Sequence, residues 1–168
     1  MTARDVRKNA NLFFDGRGYA GQLTEFNPPK LTLKTEEFRG GGMDLPIDIT
    51  QGMEKLTTDF SLKCYDRHVL SWFGVSEGNE VPFVVREALE SFDGTVKTVK
   101  HTMRGKITEI DPGTTKPGES PEMKVSMTLS YYKLEHNGVV VHEIDPVNMV
   151  RVIGGNDLLS AIRDALGF

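Results

Sequence analysis

Polar and apolar residues alternate along most of this chain, and a period of two predicts a mainly β protein. Residues 54–64 place Leu56, Phe60, Leu62 and Cys64 on one side and Lys55, Thr57, Asp59, Ser61 and Lys63 on the other, the pattern of a half-buried strand. Met123, Val125, Met127, Leu129 and Tyr131 mark one face of a longer strand over 123–136. Asn137-Gly138 follows, a strong type I′ hairpin signal, and 139–144 returns. Residues 30–38 read as a strand carrying Leu31 and Leu33. Gly40-Gly41-Gly42 comes next, then an extended stretch, 43–50, around Pro46. Residues 11–14 and 19–26 flank Asp15-Gly16-Arg17-Gly18 as a hairpin, and the polar first ten residues are expected to be a mobile arm.

Residues 81–92 carry both helical and strand signals, and Asp93-Gly94 decides for a long hairpin of 81–92 with 95–110. A two-residue turn there sets Glu90 opposite Lys97 and Glu87 opposite Lys100 as cross-strand ion pairs. Two short helices complete the reading. Asp66 caps one that presents Val69, Leu70 and Phe73; Asn156 caps an amphipathic helix over 156–166 with Leu158, Leu159, Ile162 and Leu166 on its stripe and Gly167 as its stop. Burying Leu158, Leu159 and Ile162 would make that helix part of the core. The loop at 112–121 is too short to be an interdomain linker, so 1–168 reads as one domain.

Composition narrows the function. The chain has 168 residues, within the range of a single domain with its own core. Twenty Lys+Arg against 24 Asp+Glu give a net charge of −4, which argues against general binding to nucleic acid or anionic membrane. One cysteine, Cys64, excludes an internal disulfide, and its place on an apolar face reads as a buried thiol. The N-terminus has no secretory apolar region and no stretch approaches a membrane span, so a soluble protein made in a cytoplasm, without a membrane anchor, is expected.

The residues offer no chemistry. His136 would pair with Val139 across the Asn137-Gly138 turn, leaving His142 on the opposite face; His68 and His101 lie on other elements, so no metal site is expected. Gly40-Gly41-Gly42 lacks the Gly-Lys-Ser/Thr of a phosphate loop, and Gly154-Gly155 leads to Asp157, a carboxylate where an anion would dock. There is no Gly-x-Ser-x-Gly elbow. Trp72 and Phe73 read as core. No catalytic residue and no cofactor is expected. Long strands must instead have their edges paired or blocked, which points to an assembly protein.

The ordered segments NLFFDGRGYAGQ, PPKLTLKTEEFRGGGMDLPIDI, MRGKITEIDPG, SYYKLEHNG and EIDPVNMVRVIGGNDLLSAIRDALG resemble the major tail tube proteins of contractile-tailed bacteriophages and R-type pyocins. The resemblance runs from about Asn11 to the C-terminus. It implies a β-barrel or sandwich with one or two short helices, assembling as hexameric rings stacked into a tube. It also implies partners: further copies of the chain, a contractile sheath, a tape measure protein, and baseplate and tail terminator proteins. In a phage, DNA would pass through the bore without specific binding. The protein would be found in a virion tail or extracellular particle assembled in the bacterial host cytoplasm.

On this reading Arg39, Gly40, Gly41, Gly42, Met43, Asp44, Leu45 and Ile47 belong to an inter-ring loop over 39–50. The hairpin bearing Arg86, Glu87, Glu90, Lys97 and Lys100 would line the bore, joined by a second strand pair of 30–38 with 53–64. The alternatives are a type VI secretion-like toxin-delivery tube, or a small β-barrel enzyme or ligand-binding domain.

Overall fold

The computed structural model describes residues 1–168. The order is β1 (Val6–Phe14), β2 (Arg17–Gly18), β3 (Leu23–Asn27), β4 (Leu33–Phe38), β5 (Ile47–Met53), β6 (Thr57–Leu62), α1 (Arg67–Leu70), β7 (Val81–Glu90), β8 (Val96–Asp111), β9 (Met123–His136), β10 (Val139–Asp145), β11 (Val150–Ile153), β12 (Asn156–Asp157) and α2 (Ser160–Leu166). All pairings between these strands are antiparallel; the one parallel contact is an isolated bridge between Phe73 and Ile107. The mainly β expectation therefore holds.

The main sheet runs β12-β11-β10-β9-β8-β7-β1-β2, and β6 joins β9 and carries β3. The path β3-β6-β9-β8-β7-β1 curls until β1 comes back beside β3, forming a barrel with one seam that has no hydrogen-bond ladder. Inside, Phe14, Phe60 and Phe83 pack with ring centroids 6.0, 6.1 and 6.2 Å apart. Each fully buried large side chain of this kind stabilises by roughly 1.5–3 kcal/mol. Asp66 caps α1 as expected, accepting from the His68 amide at 3.1 Å, and α1 buries Val69 against the barrel. Trp72 packs on the core, whereas Phe73 is exposed, contrary to its reading as core.

Strand β9 matches its expected span. Its edge is shared: Met123–Thr128 pair with β6, and Tyr132–His136 pair with β10. The other edge, along β8, breaks register at the same level, where Gly105 faces Leu129 and Arg104 faces Tyr131, leaving Ser130 as an extra residue. A Cβ on Gly105 would stand 2.1 Å from the Thr128 carbonyl oxygen, so this bulge requires glycine. The extra residue also shifts the inward row. Tyr132, not Tyr131, enters the core, and Tyr131 lies under the Arg104 guanidinium, 5.5 Å from its ring centre.

Several expectations are corrected. Residues 6–10 pair with β7 instead of forming an arm. Asp15-Gly16 closes a two-residue hairpin between β1 and β2 (φ 49° and 77°), while β3 pairs with β6. The turn at Asp93-Gly94 is one residue longer than read, since the Ser91 amide donates to the Thr95 carbonyl at 3.0 Å, leaving three residues between. The β7–β8 register slips by one, so Glu90 faces Val96 and Glu87 faces Val99. Strand β4 pairs with β5, not with 53–64. A bulge after Val140 sets His142 opposite Leu134, on the face His136 shares. The C-terminal helix starts at Ser160, with Leu159 at its N-cap, because Asn156 and Asp157 extend the sheet as β12; Gly167 ends it in the left-handed region.

Candidate assembly surfaces

Strands β4 and β5 form a ribbon outside the main sheet. Phe38 pairs with Ile47 and Glu36 with Ile49, giving one face that is apolar around a single carboxylate. Glu37 pairs with Asp48 on the other face, two like charges directly opposite each other. The tip is a closed turn: the Met43 amide donates to the Gly40 carbonyl at 3.2 Å, the Arg39 Nε donates to the Met43 carbonyl at 3.2 Å, and Gly42 takes φ +86°. Gly41, Gly42, Asp44 and Leu45 are exposed, and Phe38 and Ile47 are 50% and 51% exposed. The residues assigned to an inter-ring loop thus come together at the end of a projecting ribbon.

The five residues assigned to a bore hairpin do not share a face. Arg86, Glu90 and Lys100 point away from the core, while Glu87 is buried in the inward row of Val81, Phe83, Val85 and Leu89. Lys97 also turns inward, pairing with Asp5 at 3.1 Å and holding that carboxyl below its usual range. The outward face of β7–β9 is polar and mixed in charge. Lys100 and Lys133 approach Glu135 at 4.0 and 3.9 Å, Arg104 approaches Glu80 at 3.5 Å, and Thr98, Thr102 and Thr128 lie between.

The inward face holds a polar cluster that the sequence reading missed. His101 is 2% exposed; its Nε2 lies 2.9 Å from Glu87 Oε2 and its Nδ1 2.9 Å from the Tyr132 hydroxyl. An ionised carboxylate only accepts, so Nε2 carries a hydrogen and a neutral ring accepts from Tyr132 at Nδ1. The His101 hydrogen bond holds the Glu87 carboxyl below the usual carboxylate range against the opposing effect of burial, with the Arg7 guanidinium, 4.0 Å away, contributing less. Burial raises the Tyr132 hydroxyl, so it stays protonated. The available signal was the placement of Glu87 and His101 within rows of apolar residues.

The C-terminal helix buries none of its residues. Leu158 and Ile162, assigned to a core helix, are 52% and 50% exposed, and Leu159 is half-buried. The helix is held by its flanks: Arg163 donates to Asp157 at 2.7 Å and to the Met149 carbonyl at 3.0 Å. Between this helix, the root of the ribbon and the β10–β11 turn lies a groove of about 820 Å³. Met53, Leu56, Ile144, Met149, Leu159 and Ile162 are among its apolar lining residues.

A family model described as phage tail tube protein FII matches residues 5–167. The tail tube protein of Escherichia phage P2 is 32% identical over 164 residues, 95% of each chain. The major tail tube protein of Serratia phage KSP20 is 31% identical over 159 residues, covering 93% of this chain and 92% of the relative. Among solved structures, the PVC sheath/tube terminator of an extracellular contractile injection system, in its extended state, superposes with a TM-score of 0.57 at 9% identity, over 76% of this chain and 93% of that one. A chain of the PVC sheath-tube complex gives the same TM-score at 7% identity, over 76% and 88%. At such identities these two likenesses concern the fold alone.

Proposed function

The chain belongs to the phage tail tube protein family, and we propose that it builds the inner tube of a contractile phage tail or pyocin-like particle as hexameric rings stacked end to end. It is a structural tube component of the virion tail and not an enzyme. The observation that carries the finer reading is the apolar surface that a complete barrel core leaves in water. Phe38, Leu45, Ile47 and Ile49 on the ribbon, Leu158 just before the C-terminal helix, and Ile162 and Leu166 on it are all exposed. A monomer has no use for that surface, and obligate interfaces are built from such surface.

In this reading the outward face of β7–β9 lines the bore. On that face Lys100 and Lys133 share Glu135 and Arg104 approaches Glu80, while Arg86, opposite Lys100, has no carboxylate partner. The ribbon meets neighbouring subunits. A contractile sheath surrounds the tube, a tape measure protein sets its length, and baseplate and terminator proteins close its ends; assembly takes place in the host cytoplasm. Electron microscopy of the purified protein tests this. Six-fold rings or tubes of uniform bore are expected, and a monomer at all concentrations would overturn it.

A further inference from the structure

The ribbon joins the body of the subunit through a bulge that carries a glycine. Leu33 pairs with Met53 and Thr35 with Thr50, so Lys34 stands against both Gln51 and Gly52. Gly52 takes φ +111°, and no atom lies within 4 Å of where its Cβ would be. A bulge with an unhindered glycine is a point about which a ribbon can swing. Thr50, Gln51, Gly52 and Met53 also form one wall of the groove beside the C-terminal helix, so the pivot and the groove are contiguous.

Side chains alternate along a strand, so the ribbon face that carries Thr35 and Thr50 also carries Glu37 and Asp48. These carboxylates stand opposite each other, and neither has a cation within 4.0 Å. Like charges so placed destabilise the ribbon unless a cation stands beside them. Asp48 lies two residues beyond Thr50, about 7 Å at roughly 3.3 Å per residue.

The groove holds such a cation. Arg151 pairs with the buried Ile144, lines the groove with it, and has a buried Nε without a hydrogen-bond partner. No carboxylate lies within 4.0 Å of its guanidinium. The other charged residues of the groove are Glu54, Lys55 and Asp145. Asp145 already accepts from the Asn148 amide at 3.2 Å and from its side chain at 2.6 Å. A guanidinium presents its donors as a fixed fork, enough for two carboxylates.

We propose that the ribbon is a strap: it swings at Gly52 over the groove of its own subunit, and Arg151 latches it there through Glu37 and Asp48. The latch holds the ribbon back in the free chain and is released when the ribbon extends to a neighbour. It acts through side chains and leaves both strand edges of the ribbon in water. Closure is a property of the single subunit; only its effect on assembly rests on the tube reading.

Distances within the unassembled protein test it. Spin labels at Asp44→Cys on the ribbon tip and Ala161→Cys on the C-terminal helix, in a Cys64→Ser chain, are expected to show a short-distance population at low salt. That population should shrink at about 1 M salt, where charge pairs are screened. Arg151→Gln, and separately Glu37→Gln with Asp48→Asn, should remove it at the wild-type melting temperature. Both should also lower the protein concentration needed for assembly by roughly two- to fivefold, the range for a partly exposed ion pair. Should Arg151→Gln fold poorly, the carboxylate variant on the projecting ribbon decides alone. A single distance distribution indifferent to salt, a carboxylate variant with the wild-type distribution, or one that assembles no more readily than wild type would each overturn the latch. Wild-type subunits that close in a salt-dependent way but never assemble would instead overturn the tube reading.

Discussion

Glu87 and His101 bond at 2.9 Å although neither stands opposite the other: Glu87 faces Val99 and His101 faces Val85. The pair is diagonal across two strands on the inward face, and Tyr132 extends it to a third strand. Buried polar networks of this kind stabilise when complete and cost heavily when broken. Because the Glu87 carboxyl is lowered in the folded state, its contribution is present above the unfolded pKa and is lost as pH falls through the folded value. We expect wild-type melting temperature to fall on acidification below about pH 4, the unfolded Glu range, and Glu87→Gln to show a flatter profile there. Equal slopes for the two proteins would show that Glu87 contributes nothing to acid stability.

Gly105→Ala is expected to destabilise the subunit by about 2–3 kcal/mol, the upper range for forcing an extra methyl group into a packed site. The added Cβ meets the backbone oxygen of Thr128, which has no flexible end to move aside. The urea midpoint is the measurement, with Gly41→Ala at the ribbon tip as the milder comparison, since no atom lies within 4 Å of its Cβ and its φ is not left-handed.

The exposed helix stripe separates folding from assembly. Ile162→Asp should leave subunit stability within about 0.5 kcal/mol of wild type, as surface substitutions do, and should abolish tubes. A large fall in monomer melting temperature would mean that the helix docks on its own subunit.

Replacing Met43, Leu45 and Ile47 together with Ser should likewise leave a folded monomer that does not extend. Amide exchange over 40–49 should be fast in the monomer, because an isolated two-stranded ribbon is marginal in water, and slow in the tube. Protection already present in the monomer would contradict this.

What the sequence revealed depended on the range of the interactions involved. Strand β9 was legible in full because its alternation is regular and Asn137-Gly138 fixes its end. The Asp93-Gly94 hairpin was legible as a hairpin, but its register was not. Asp-Gly suits a two-residue turn or a three-residue one with a bulge, and the two differ by one residue in every pair downstream. That single slip concealed the Glu87–His101 bond. The partner of β4 was misassigned because 47–53 and 53–64 both alternate, and only the chain's return through the turn at 40–43 decides between them. The leucines of the C-terminal helix formed the expected stripe, but a stripe indicates burial without naming the molecule that provides it.

The bulge at Ser130 lies level with the gap between β6 and β10 on the other edge of β9. Strand β9 is therefore braced on both sides above and below this level and weakly braced across it, which makes it a hinge line. A load reaching the lobe of β10–β12 enters β9 above this level and passes to the barrel both along β9 and through the ladder of Val99–Arg104 on β8. Bending of the subunit is expected to concentrate at this level. Placing Ala at Gly105 in folded, assembled tubes should then alter bending stiffness, and an unchanged persistence length would argue against the hinge.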